Sequence, residues 1–209
     1  MDIAQTIIYY TIVLGIMILA ICVHEASHAI AANICGDKTA LMLGRATLNP
    51  TSHIDPIGTV VMPALTFILG GMMFGWARPV PIREANMKDP KKDPALVAAA
   101  GPFSNFALAL IFAALLYLTN LLQANTINLM KIICTIGIQI NISFMILNFL
   151  PIPPLDGSRV LSALLPRAPA RALESIEPYG TWIVLALAMT GVLSFIIKPL
   201  TQSIVSILT

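Results

Sequence analysis

The chain has 209 residues, 57% of them hydrophobic and only 11% charged, with a net charge of +2 and a mean hydropathy of +0.86. A soluble domain of this length must cover its surface with polar groups, so the composition excludes that class and leaves a polytopic membrane protein. The positive excess is too small and too scattered for a nucleic-acid footprint, and Cys22, Cys35 and Cys134 show no CxxC spacing, so they read as small apolar filling rather than redox chemistry.

Five long apolar stretches follow in chain order. The first, 3–34, exceeds the roughly 20 residues that a helix needs to cross hydrocarbon. It lacks a basic flank at its start, so it reads as a retained span and not as a removable leader. The second, 57–77, contains Pro63 and Gly70-Gly71 and is bounded by Pro56 and Pro79. Stretches 95–118, 131–152 and 179–197 come next, then a short apolar tail at 199–209. No repeat is present and no connector is long enough for a second unit, so residues 1–209 are expected to form a single domain. The expected fold is an all-α polytopic membrane protein of about 4–6 transmembrane helices with a re-entrant or hairpin segment at 57–82.

The first stretch carries His24-Glu25-Ala26-Ser27-His28, an HExxH motif. On a helix, residues four apart share a face, so both imidazoles can hold one Zn²⁺ with Glu25 beside it as general base. An ionisable residue at membrane depth is expensive and functional by default. Two histidines do not complete a catalytic zinc site, which usually has three protein ligands and an open position. The longer HExxHxxGxxH pattern is absent, because Ala31 and Ile34 occupy its later positions. A carboxylate at membrane depth is therefore sought.

One lies at the end of the fourth stretch, in Asn148-Phe-Leu-Pro-Ile-Pro-Pro-Leu-Asp-Gly157. Three prolines break the helix there, and Asp156 follows where the backbone unwinds. Two readings stay open at this point: Asp156 caps the helix beginning near Ser158, or it supplies the missing ligand.

HExxH in a first span and NxxPxxPLDG closing a later one resemble the site-2 protease family of intramembrane zinc metalloproteases. The pieces between agree in order: LNPTSHIDPIGT at 48–59, FGWARPVPI at 74–82 and AAGPFSN at 99–105. The resemblance covers residues 20–160 and is nearest the small bacterial-type branch without PDZ or CBS domains. It implies one Zn²⁺ per chain, held by His24, His28 and Asp156, with Glu25 as catalytic base. It also implies that Asn148 faces the site, hydrogen-bonding substrate backbone or the oxyanion, and that His53 and Asn105 lie near it. His53 has a second reading as a turn cap with Asp55-Pro56, and Asn105 as a partner of neighbouring helix backbone. A strand edge near Val80-Pro81-Ile82, holding an extended peptide, is a further implication of the resemblance.

A shared site demands that the first and fourth stretches run parallel, with an odd number of crossings between them. Two candidate segments intervene, so one does not cross, and 57–77 with its breaks is the better exception. Its return would place Lys38, Arg45, Arg78, Arg83, Lys88, Lys91, Lys92, Arg159, Arg167 and Arg171 on one side, which is ten of the twelve Lys and Arg residues. Such a bias marks that side as cytoplasmic. The expectation is a multi-pass protein of a bacterial or archaeal cell membrane, with its site toward the cytoplasmic leaflet. Its partners would be the lipid bilayer and transmembrane protein substrates, and not nucleic acid.

The expected activity is an intramembrane endopeptidase, serving regulated proteolysis or the clearance of signal-peptide remnants. Its rivals are a metal transporter and a non-catalytic scaffold that uses the same site. A transporter would spread polar residues along a path, whereas the last stretch has no charge between Glu177 and Lys198. A scaffold would have no need of Glu25.

Overall fold

The computed structural model describes residues 2–62, 65, 76–122 and 128–209. Helix α1, Ile3–Cys35, opens on a capping box: the Asp2 carboxylate accepts the Gln5 backbone N–H at 2.7 Å, and the Gln5 side chain accepts the Asp2 N–H. It closes on Gly36, whose φ of 113° is a left-handed cap that only glycine adopts cheaply. At 1.5 Å per residue its 33 residues run about 50 Å, so α1 outreaches a bilayer core.

A single helical turn α2, Thr39–Met42, leads into the loop to Pro56. Helices α3, Asp93–Leu122, and α4, Asn128–Phe149, are the other two long apolar helices. After the broken Leu150–Leu155 stretch come α5, Asp156–Leu164, and α6, Arg167–Glu174. Then follow α7, Glu177–Met189, and α8, Val192–Leu208. Every regular element among the described residues is helical.

Helices α1, α3 and α4 are each long and apolar enough to cross a membrane, and α7 with α8 adds a fourth if that pair is one span. The fifth apolar stretch, expected as one span, breaks at Thr190-Gly191 with a 74° bend between α7 and α8. Gly191 takes φ +78° there, which stops α7 and lets α8 swing back on α4. The tail 199–209 continues α8 across Pro199.

Lipid supplies no hydrophobic drive between helices, so close packing rests on small residues. Ala20, Ala29 and Ala32 of α1 are fully buried, while Ile3, Ile7 and Leu14 face outward. The main core joins Ala109, Phe112 and Leu116 of α3 to Ile138, Ile142 and Ile146 of α4, with Ile204 of α8 against it. At Gly137 the two helices approach so closely that a Cβ would stand 2.5 Å from the Phe112 ring.

Residues 63–64 and 66–75 of the expected re-entrant segment lie outside the described residues, but its two ends are described and they meet. The Trp76 N–H donates to the Gly58 carbonyl at 3.0 Å, and the Thr59 hydroxyl donates to the Trp76 carbonyl at 3.0 Å. A spanning helix over 57–77 would part those ends by roughly 30 Å.

Candidate metal centre

His24 and His28 lie one turn apart on the buried face of α1, and Asp156 opens α5. The break after α4 turns the Asp156 carboxylate back toward α1, and one of its oxygens lies 3.2 Å from His24 Nε2 and 3.4 Å from His28 Nε2. The two Nε2 atoms are themselves 3.0 Å apart. The end of the fourth apolar stretch thus meets the histidines of the first, as the shared site requires.

The far nitrogens of both rings settle what the near ones carry. His28 Nδ1 sits 2.7 Å from the Val97 carbonyl oxygen, which can only accept, so Nδ1–H donates there. His24 Nδ1 sits 2.7 Å from Asn105 Oδ1. That amide cannot be turned over, because Asn105 Nδ2 donates to the Ala20 carbonyl and to Asn141 Oδ1, each at 3.1 Å. In their neutral form both rings therefore carry the proton on Nδ1 and aim bare Nε2 lone pairs at each other. The third member, Asp156 Oδ2, is buried and has no hydrogen-bond donor.

Three buried acceptors this close repel one another unless a cation lies among them. Zn–N bonds of roughly 2.0–2.1 Å at tetrahedral angles put ligand atoms about 3.3 Å apart, which is the spacing found here. The set fits zinc: two imidazoles and one carboxylate, each with a ligand atom free.

Gly101 of α3 makes the approach possible. A Cβ there would stand 2.5 Å from His28 Nε2 and 2.6 Å from His24 Cε1. Gly157, next to Asp156, lies equally tight against the Phe149 and Leu150 backbone.

The centre opens into a cleft of about 400 Å³. Glu25, half-buried, lines it beside the two imidazoles, as do Asn105 and Asn148. Asn148 Nδ2 donates to the Phe144 carbonyl of its own helix at 3.0 Å. Asn105 is fully buried, with both amide hydrogens and its oxygen committed. His53 is not among the cleft-lining residues; it sits in the 45–56 loop, where it is only 1% exposed and its Nε2 donates to the Thr47 carbonyl at 2.8 Å. Its carbonyl accepts the Arg78 N–H. The turn cap considered for it belongs to Asp55, whose carboxylate accepts the Ile57 and Gly58 N–H groups.

One cleft wall is the segment 76–83, which carries neither helix nor paired strand. No paired strand forms at Val80–Ile82 among the described residues; the segment is non-helical, and Val80 and Ile82 keep the backbone N–H groups that Pro79 and Pro81 lack. Buried side chains hold the wall instead. The Arg45 guanidinium donates to the Arg78 and Pro79 carbonyls at 2.6 and 3.1 Å. Asp37, fully buried, accepts the Arg83 N–H at 2.7 Å and the Asn86 amide at 2.9 Å. Burial alone would raise the Asp37 carboxyl, but these donors and those of Thr39 outweigh it and hold it at about 2.

Reading the sequence missed Arg45, Asp37, Gly101 and Asn141. Asn141 had a signal: it stands seven residues before Asn148 in an apolar run, two turns away on the same helix face.

The model of peptidase family M50 matches residues 10–130 and 119–191. "Putative zinc metalloprotease YwhC" of Bacillus subtilis is 37% identical over 189 residues, covering 88% of this chain and 83% of that protein. "Putative zinc metalloprotease Rip2" of Mycolicibacterium smegmatis is 31% identical over 187 residues, covering 88% of this chain and 69% of its own length. The Mycobacterium tuberculosis protein of the same name is 29% identical, with the same two coverages. No solved structure matches the chain. With its HExxH helix and a distant aspartate converging on one zinc site, the chain belongs to peptidase family M50, the site-2 protease family, and is a zinc metalloprotease.

Proposed function

We propose that the protein is an intramembrane endopeptidase that hydrolyses peptide bonds in or near the transmembrane segments of membrane proteins, with Glu25 as general base. The observation that carries this reading is the make-up of the cleft. Charged and ligating groups, His24, Glu25, His28 and Asp156, gather at one place, while Met17, Phe144, Leu147 and Val184 line its apolar flank. A substrate that fits must present both a peptide bond and a lipid-soluble segment.

His24, His28 and Asp156 would hold a zinc ion, which when bound would supply a Lewis acid for the peptide carbonyl and the attacking water. Glu25 accepts the proton of the attacking water and delivers it to the leaving amine. The tautomers fixed by Asn105 and Val97 keep both Nε2 atoms available as ligands. A bond inside a helix is screened by its own hydrogen bonds, so the substrate must unwind locally. Asn148, one of the cleft-lining residues, would meet the backbone groups this frees. The ten basic residues of the loops favour a cytoplasmic position for the centre. Single-pass membrane proteins and signal-peptide remnants are the substrate class.

Purified protein in detergent, wild type beside Glu25→Gln, is tested on a model single-pass substrate with zinc assayed in both. Zinc-loaded wild type cuts and zinc-loaded Glu25→Gln does not. If both hold zinc and neither cuts any of several unstable transmembrane helices, a scaffold or metal-passage role replaces this reading.

A further inference from the structure

Asn141 is a buried polar residue of the apolar helices that the chemistry above leaves unused. It is fully buried at mid-helix in α4, where an amide costs free energy unless every bond is made. Its Nδ2 donates to the Gly137 carbonyl of its own helix at 2.8 Å. That bond turns Oδ1 outward, where it accepts from Asn105 Nδ2 at 3.1 Å. Asn105 then has its amide hydrogens on Asn141 and on Ala20, and only its oxygen remains for His24 Nδ1 at 2.7 Å. The donors run in one direction from His24 to Gly137, across three helices.

We propose that Asn141 is a positioning residue for the zinc site: it locks the Asn105 amide and so keeps His24 in the tautomer whose Nε2 is free to ligate. The alternative orientation is specific. If Asn105 turned over, its NH₂ would face His24 Nδ1, the ring proton would move to Nε2, and that nitrogen could no longer bind metal. Two acceptors oppose the turn, the Ala20 carbonyl and Asn141 Oδ1, and Asn141 is the only one from a side chain. An apolar residue at 141 removes one of the two locks and leaves an Asn105 hydrogen buried without a partner. Outer partners of ligating histidines typically carry about 10- to 100-fold of metal affinity. Asn141 acts one step further out, so its share falls toward the lower end.

The proposal rests on the zinc site but not on peptide hydrolysis, and it is tested without a substrate. Zinc affinity is measured by chelator competition on wild type, Asn105→Leu, Asn141→Leu and the double variant, in detergent at one pH. Asn141→Leu weakens zinc roughly ten-fold, and the double variant binds no more weakly than Asn105→Leu, because the two residues act in series. ¹⁵N spectra of the imidazoles in zinc-free protein report the proton directly: His24 is Nδ1–H in wild type and shifts toward Nε2–H in Asn141→Leu. Asn141→Ala replaces Asn141→Leu if the latter does not fold. Unchanged zinc affinity, losses that add in full, or a His24 that stays Nδ1–H in the variant would each overturn the proposal. A protein that binds zinc as expected but never cuts would sink the peptidase reading alone.

Discussion

Gly101 stands against His28 so closely that a single added methyl would reach 2.5 Å from Nε2, the atom that ligates. The glycine sits in α3, just before Pro102, and the helix passes the two imidazoles at backbone distance. Gly101→Ala must therefore displace either α3 or the rings, and overpacking of this kind costs about 1–3 kcal/mol. The rings are the softer party. Gly101→Ala is expected to insert and stay helical while losing more than ten-fold in zinc affinity, read by metal content after dialysis and by circular dichroism. Full zinc content in the variant would show that α3 yields instead.

Asp37 makes the acid side of stability legible. Its carboxyl lies at about 2 in the folded protein against an ordinary 3.8. A lowered folded value means that the contribution is fully present above the ordinary value and is lost as pH falls through it toward 2. The shift corresponds to about 2 kcal/mol. Asp37→Asn should be less stable than wild type by about that amount at neutral pH, with the two converging between pH 4 and about 2. Because Asp37 also holds the Arg83 end of the cleft wall, the variant should show a raised KM with zinc content unchanged. Parallel stability curves across that pH range would mean that Asp37 is not the group responsible.

Much of this site was readable because its ligands come in short-range patterns. His24 and His28 announce themselves by a spacing of four in an apolar run, and Asp156 by the prolines that break the helix before it. The partners that orient them left weaker marks. Val97 acts through its carbonyl, which no side chain reveals, and Gly101 acts by lacking a Cβ. Asn105 and Asn141 find each other from different helices, so no periodicity links them. The fold divides likewise. Hydropathy located the long helices, but averaging over 179–197 concealed the turn at Gly191, where one residue's φ and not its polarity sets the path. The prolines and glycines of 57–77 signalled that its ends would meet, and the contact between Gly58 and Trp76 is that meeting in space.

Gly191 tests that last distinction. A Cβ there would meet nothing within 4 Å, so any penalty comes from the backbone and not from crowding. A residue other than glycine at φ +78° costs about 1 kcal/mol. Gly191→Ala should lower stability by about that amount while zinc affinity stays at the wild-type value, since Gly191 is not among the residues that line the cleft. Measured by denaturant unfolding in detergent, a stability equal to wild type would indicate that the α7–α8 turn relaxes to another conformation.

Zinc removal makes the strongest demand on the fold. Without a cation, His24 Nε2, His28 Nε2 and Asp156 Oδ2 remain 3.0–3.4 Å apart with no donor among them, in a buried setting. The protein must then take up a proton, admit water or separate α5 from α1, and each route loosens the link between the end of α4 and the HExxH helix. Chelation should therefore lower the unfolding temperature as well as abolish cleavage, and re-addition of zinc should restore both. At a free zinc concentration of 1,000 times the Kd, the stabilisation would be about 4 kcal/mol. Asp156→Asn offers the control: it removes the carboxylate charge and weakens zinc, so its unfolding temperature should respond much less to chelator than that of wild type. An unfolding temperature indifferent to chelation in wild type would mean that the three groups are held apart by the helices themselves, with the metal as a passenger and not as a clasp between α1 and α5.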